Sequence, residues 1–390
     1  MPIAASLGTG RAVASSCMAL SSLGLAVSSP LVGRLMDRYG ALRVIRVSIV
    51  LFVLCLLSLS IGPIVPQALA AKIFLLGLLG VGTSPVGYLP VLAHSFERRL
   101  GLAFGVASIG AGVGAAVAPV MAGRAIKAYG WQSAYLILAV VAALLGWVAF
   151  ELLRRSGLGI ERRKIERAAL SDRIAPNVRR DAHGRQALLS LRFWLIGVSI
   201  ALVAAVGLGS MVHIPALLID KGMSAQAAAA GSAFAAIGLT IGRFAAGMLL
   251  DYLPARILSA CIFALGACGA WILAFASHGS PLPLLALGAA LTGALIGAEG
   301  DLVPFLVKRY FGIESFGLVY GFMISVFCLG TLGGPIVYGM AFDKFHSYRA
   351  VMSVAGGACL LGALGILLIG PYRYPARSLP EAGMGSTDGT

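Results

Sequence analysis

Apolar residues run along this chain in blocks of about 20, with almost no charge inside them and short polar turns between. A helix of that length crosses the hydrocarbon core of a bilayer. Eleven such blocks can be read, at roughly 12–33, 43–63, 67–95, 101–124, 131–153, 192–219, 225–250, 255–277, 281–307, 315–341 and 350–371. Lipid offers the backbone no hydrogen bonds, so a spanning segment is either a helix or a strand of a closed barrel. Barrel strands are about ten residues long and alternate in hydrophobicity. These blocks do neither, and the pattern predicts an all-α membrane protein.

Composition agrees. Charged residues make up 12% of the 390 and the mean hydropathy is +0.93, whereas a water-facing domain carries roughly 25% charge. The formal net charge of +15 would suit a nucleic-acid surface, but its distribution excludes that partner. Lys and Arg gather in alternate loops, at Arg34–Arg46, at Arg98 and Arg99, through 154–192, and again at Arg256, Lys308, Arg309, Arg373 and Arg377. The opposite loops hold few, such as Arg11, Lys127, Lys221 and Lys344. That asymmetry marks the basic side as cytoplasmic. The six cysteines lie inside blocks without paired or metal-ligand spacing, and no metal or cofactor is expected. The N-terminus has no signal-peptide pattern.

Residues 154–190 form the one long polar segment, a basic linker with a short amphipathic stretch around Ile160–Leu170 suited to anionic headgroups. It separates a helical half at 1–153 from a second at 191–372, and a polar tail at 373–390 reads as disordered. The halves repeat. Gly101-Leu-Ala-Phe-Gly105 returns 216 residues on as Gly317-Leu-Val-Tyr-Gly321, and Gly114, Pro119 and Gly123 return at the same offset as Gly330, Pro335 and Gly339. Gly33-x3-Asp37 returns 214 residues on as Gly247-x3-Asp251. Parallel internal repeats are a hallmark of transporters, with the substrate site between the halves near the midplane. By the same offset, block 192–219 has its counterpart before residue 1. The expectation is a twelve-helix fold whose first helix is missing from this chain; eleven helices with an external N-terminus is the alternative.

Between the first two blocks stands Gly33-Arg-Leu-Met-Asp37-Arg38-Tyr-Gly40-Ala-Leu-Arg43. Gly33 and Gly247 allow close helix approach. An Asp just past a helix end can meet the positive N-terminus of another helix, a contact that would break when the halves rock apart and so could latch one state. The segment resembles the loop signature of the major facilitator superfamily, although no basic residue follows Gly40 directly. Its second copy, Gly247-Met-Leu-Leu-Asp251-Tyr-Leu-Pro-Ala-Arg256, has Tyr252 in the basic position. Gly110-x-Gly112-x-Gly114 with Pro119 and Gly123, and Gly330-x3-Gly334-Pro335-x3-Gly339, resemble that family's fifth- and eleventh-helix patterns, where small residues pack and proline permits bending; ordinary small-residue packing explains them as well.

Ionisable residues inside the blocks carry the functional weight, because charge in lipid is costly. Arg243 stands eight residues before Asp251, about 12 Å deeper along a helix. Gly242-Arg243-x3-Gly247-x3-Asp251 is similar to the eighth-helix pattern of monocarboxylate and oxalate/formate carriers, which implies a cavity arginine for a substrate carboxylate; guanidinium geometry suits that task. Arg192-Phe-Trp-Leu and Glu299-Gly-Asp301 before Arg309-Tyr-Phe-Gly312 point to the same subfamily. Glu299 and Asp301 are candidates for carrying a coupling proton; spaced i, i+2 they face different ways, and the deeper Glu299 is preferred. Lys72 could line the cavity or snorkel, His213 could titrate near neutrality, and Tyr88 and Tyr320 could hydrogen-bond a substrate.

The expected function is alternating-access transport of a small organic anion as proton symporter or anion exchanger, in a monomer within a bacterial inner membrane. A drug or metabolite effluxer of the same fold is the nearest rival. A membrane sensor or intramembrane enzyme fits less well, since no clustered nucleophile, metal set or phosphate loop is present.

Overall fold

A computed structural model describes residues 11–61, 65–96, 99–156 and 176–374. Every regular element there is helical: α1 (Arg11–Tyr39), α2 (Ala41–Ser60), α3 (Pro66–Leu79), a short 3-10 turn (Val81–Thr83), α4 (Pro85–Ser95), α5 (Leu100–Tyr129), α6 (Trp131–Arg155), α7 (Pro176–Leu189), α8 (Leu191–Asp220), α9 (Ala225–Leu249), α10 (Ala255–Phe275), α11 (Leu282–Phe311), α12 (Phe316–Phe345) and α13 (Arg349–Leu367). Among the described residues, nine helices are long and apolar enough to cross a membrane unaided. The outer faces of α6 and α13 expose Leu144, Leu145, Trp147, Leu361 and Leu364, which only lipid can cover at that density. The amphipathic stretch expected at 160–170 and the tail beyond 374 lie outside the described residues.

The sequence repeat is a structural one. Helices α1, α2, α3 with α4, α5 and α6 correspond to α9, α10, α11, α12 and α13, and the same partners pack in each half: α1 on α3 as α9 on α11, and α2 on α6 as α10 on α13. Paired glycines set the tightest contacts. A Cβ on Gly24 would come within 2.3 Å of Phe74 O and one on Gly77 within 2.0 Å of Ser21 O; their repeat mates Gly238 and Gly293 face Ala290 O at 1.9 Å and Ala235 O at 2.0 Å. Only hydrogen fits there, so backbones touch.

One predicted span is corrected. The apolar block at 67–95 reads as one unbroken helix, but the chain breaks between α3 and α4. Pro85 disfavours helical backbone in the residue before it, and Ser84 is extended at φ −93°, ψ 178°, with its side chain accepting from Val86 N–H as the cap of α4. The repeat mate α11 has Asp301 where α4 begins with Pro85 and runs on without a break.

Candidate functional site

On the basic side the two halves are tied together by helix ends. Asp37 stands in the last turn of α1; its Oδ1 accepts from Gly317 N–H at 2.9 Å and its Oδ2 from Leu318 N–H at 2.8 Å. Asp251, just past the end of α9, does the same to the start of α5, accepting from Gly101 N–H at 2.8 Å and Leu102 N–H at 3.0 Å. Each carboxylate thus caps the N-terminus of a helix in the opposite half, where backbone N–H groups lack partners and the helix dipole is positive. Glycines make the approach possible: a Cβ on Gly33 would lie 1.9 Å from Gly317 O, and Gly247 meets the backbone of Gly101 and Gly105 at 3.1 Å. A third tie has the opposite sign. The buried ammonium of Lys308 on α11 donates to the carbonyls of Ala93 and Phe96 at the C-terminus of α4, the negative end of that helix.

The rest of the expected latch plays a smaller part. Gly40 turns the chain between α1 and α2 at φ 88°, a left-handed region that favours glycine. Arg38 lies over the ring of its neighbour Tyr39. Arg43 is exposed at the start of α2 and Arg256 is half-buried at the start of α10.

Deeper along the seam, four helices bring polar groups together. Arg243 rises from α9, and a Cβ on Gly300 of α11 would sit 3.5 Å from its Nη2; its Nε is buried without a hydrogen-bond partner. Asp301 is fully buried. Its Oδ1 accepts from the Ser108 hydroxyl of α5 at 2.8 Å, across the seam, while Oδ2 has no partner. The Arg243 charge acts on Asp301 through space, and Tyr320 of α12, its phenol in a buried side chain, is within electrostatic range of the same carboxyl. Counted from the helix ends on the basic side, Ser108 and Asp301 stand about 12 and 15 Å deep, near the middle of a hydrocarbon core of about 30 Å.

Of the residues singled out in the sequence, then, Arg243, Asp301 and Tyr320 come together, and Ser108 joins them unannounced. Glu299 does not face this cluster. It is fully buried with neither oxygen partnered and is turned toward Cys359 of α13, because two residues on a helix are about 200° apart. Lys72 donates to Ser58 O at the end of α2, which places it at the rim rather than in the cluster. Tyr88 packs with Met36, Ile45, Val91 and their neighbours inside the first half. His213 is held within the second half, with Nδ1 3.1 Å from the Tyr348 hydroxyl and Nε2 3.1 Å from Pro335 O. If Nε2 carries the proton, it donates to that carbonyl and Nδ1 accepts from the tyrosine.

The expected glycine packing divides between the two copies. In α12, Gly330 and Gly334 meet Ala201 O and Ala205 O of α8 at 2.3 and 2.1 Å, while Gly339 has only His213 Cε1 at 4.0 Å, and Pro335 lies inside the helix. In α5, Gly114 and Gly123 have nothing within 4 Å of a built Cβ, so among the described residues no close approach is made at these two glycines. The side chain of Pro119 lies outside the described residues.

The chain is similar to one family model, to known transporters and to a solved structure of the same fold. The sequence model described as Major Facilitator Superfamily matches residues 1–277 and 214–386. Monocarboxylate transporter 11 of Mus musculus is 28% identical over 359 residues, spanning 88% of this chain and 76% of that protein. The gallate transporter of Pseudomonas putida is 24% identical over 391 residues, 95% of this chain and 86% of its own length. The crystal structure of the E. coli fucose:proton symporter superposes with a TM-score of 0.67 at 17% identity, over 92% of this chain and 91% of that one.

Proposed function

From the premise that this chain belongs to the major facilitator superfamily of membrane transporters, we propose that it carries a small organic anion, a carboxylate, by alternating access, as a proton symporter or an anion exchanger. The observation that carries the reading is Arg243. A guanidinium inside a spanning helix, with a buried Nε lacking a partner and an acid on the neighbouring helix, is a charge that a substrate carboxylate can satisfy with fork geometry. The names of the relatives, a monocarboxylate and a gallate transporter, favour the same class. An effluxer of cationic drugs would set acids against its substrate, and Arg243 opposes that.

In this reading Asp301 exchanges the coupling proton. Its carboxyl is sealed while the halves are closed on the basic side, and parting them there would hydrate it. The latch is formed by Asp37 and Asp251 with Gly33 and Gly247. The linker and C-terminus face the cytoplasm of a bacterial inner membrane, and the carrier works as a monomer. Glu299, sealed inside the second half, is the alternative proton carrier. Lys72, Tyr88 and His213 lie apart from the Arg243 cluster, which leaves Tyr320 as the tyrosine that lines it.

The test is uptake of labelled mono- and dicarboxylates into proteoliposomes, with and without a pH gradient, by the wild type and by Arg243→Ala. Saturable uptake that Arg243→Ala abolishes supports the reading. Uptake unaffected by that substitution, or transport of cations alone, overturns it.

A further inference from the structure

The Ser108–Asp301 hydrogen bond joins the two halves of the protein at the depth of Arg243. It pairs a carboxyl with a side-chain hydroxyl of the opposite half. The two latch carboxylates near the basic surface each hold two backbone N–H groups, whereas Asp301 has one hydroxyl on Oδ1 and nothing on Oδ2.

We propose that Ser108 is the positioning residue that makes proton binding at Asp301 depend on whether the halves are closed. The proposal deepens the coupling role given above to Asp301 and rests on it. An ionised Asp301 accepts a charge-assisted hydrogen bond from Ser108, roughly twice as strong as one between neutral groups. That bond exists only while α5 and α11 are together. The ionised carrier is therefore held closed at this depth. Proton binding reduces the tie to an ordinary hydrogen bond and so makes the seam easier to open. Opening removes Ser108, which by itself favours the protonated form, but it also hydrates the carboxyl, and the proton leaves because hydration outweighs the lost hydrogen bond. The return then favours the ionised form, because closing restores the tie. Both legs run in the order a proton symporter needs.

The other groups around Asp301 do not duplicate Ser108. From α9, Arg243 acts on it electrostatically, and from α12 Tyr320 lies in range. On α4, His94 Nδ1 is engaged with Pro90 O and Tyr88 packs near Val91. On α8, His213 is engaged with Tyr348 and Pro335, and on α10 Cys261 and Cys268 are exposed. On α11 itself, Glu299 faces Cys359 and Lys308 reaches α4. Ser108 is thus the hydroxyl that crosses the seam to this carboxyl.

Carbodiimide modification tests the idea without any substrate, since the reagent adds to a protonated carboxyl and not to a carboxylate. Purified protein in liposomes would be treated with a hydrophobic carbodiimide across a pH series, and modification at Asp301 and Glu299 resolved by peptide fragmentation. Removing a hydrogen bond from the ionised form favours the protonated one. Ser108→Ala is therefore expected to move the Asp301 midpoint alkaline by about one pH unit, a tenfold change in proton affinity. Ser108→Thr, which keeps the hydroxyl, should stay near the wild type. Glu299 has no partner on α5, so its midpoint should not move. An unmoved Asp301 midpoint in Ser108→Ala overturns the proposal, as does an Asp301 never modified at any pH, or a shift that Ser108→Thr does not reverse. Failure of Arg243→Ala to affect uptake would overturn the anion reading and leave this result standing.

Discussion

Gly300 shows how closely the site is drawn around one side chain. A Cβ there would meet Arg243 Nη2 at 3.5 Å, an ordinary van der Waals distance, so Gly300→Ala should transport nearly as the wild type. Gly300→Val adds methyls where the guanidinium lies and should raise KM about tenfold or more with little loss of stability. A KM unchanged in Gly300→Val would place the substrate elsewhere. Arg243→Lys keeps the charge and loses the planar fork; we expect affinity to fall about 10- to 100-fold, read from the concentration dependence of uptake. Arg243 and Asp301 were legible in the sequence because charge within an apolar block must have a use or a partner. The same rule flagged Lys72 and His213, which the fold satisfies locally with Ser58 O and with Tyr348 and Pro335. Ser108 carried no signal, since a serine among small residues reads as packing. The sequence preferred Glu299 for its depth, whereas the fold sets Asp301 beside Ser108 and Arg243, a difference of rotation about the helix axis that depth along the sequence cannot supply.

Helix pairing within each half depends on glycines that the repeat offset contains but hydropathy hides. Gly24 and Gly77 stand at 214 and 216 residues from Gly238 and Gly293, and all four press on a backbone carbonyl. Gly297 adds a fifth contact, 1.9 Å from Leu239 O, one turn below Gly293 on the α9–α11 pair that carries Arg243 and Asp301. A side chain at any of these must push the backbones apart. Overpacking of this kind costs about 1–3 kcal/mol or more, so Gly293→Val should lower the thermal midpoint in detergent by several degrees and remove uptake. Gly114→Val, at a position with nothing within 4 Å of its Cβ, should leave the midpoint within a degree or so, apart from the helix-propensity change. Equal losses at both positions would contradict the packing described. The broken third span is the counter-case: hydropathy runs smoothly through 67–95, and only Pro85 with its capping Ser84 announces the break.

At the scale of the whole molecule, three helix-end ties lie on the basic side: Asp37 on α12, Asp251 on α5 and Lys308 on α4. Two are related by the repeat and one is not, so the closure is only partly symmetric. The Asp pair was legible as a repeated Gly-x3-Asp, whereas Lys308 read as one more basic loop residue, since nothing in sequence says that α4 ends beside it. A charge-assisted hydrogen bond contributes about 1.5–3 kcal/mol where it is shielded, less where water reaches it. Removing one tie should therefore shift the balance between closed and open forms about tenfold, and removing two should multiply the shifts if the seams act independently. The reporter is a cysteine at Ser29, a fully buried α1 position whose backbone meets Gly321 of α12, in a background lacking the native cysteines. Its alkylation by a membrane-impermeant reagent from the basic side should be slow in the wild type. It should be about tenfold faster in Asp37→Asn or Asp251→Asn, and faster again in the double variant. If Asp37→Asn accelerates it and Asp251→Asn does not, the halves part along the α1–α12 seam alone. The rigid rocking of two repeated bundles would then give way to a hinge confined to one pair of helices.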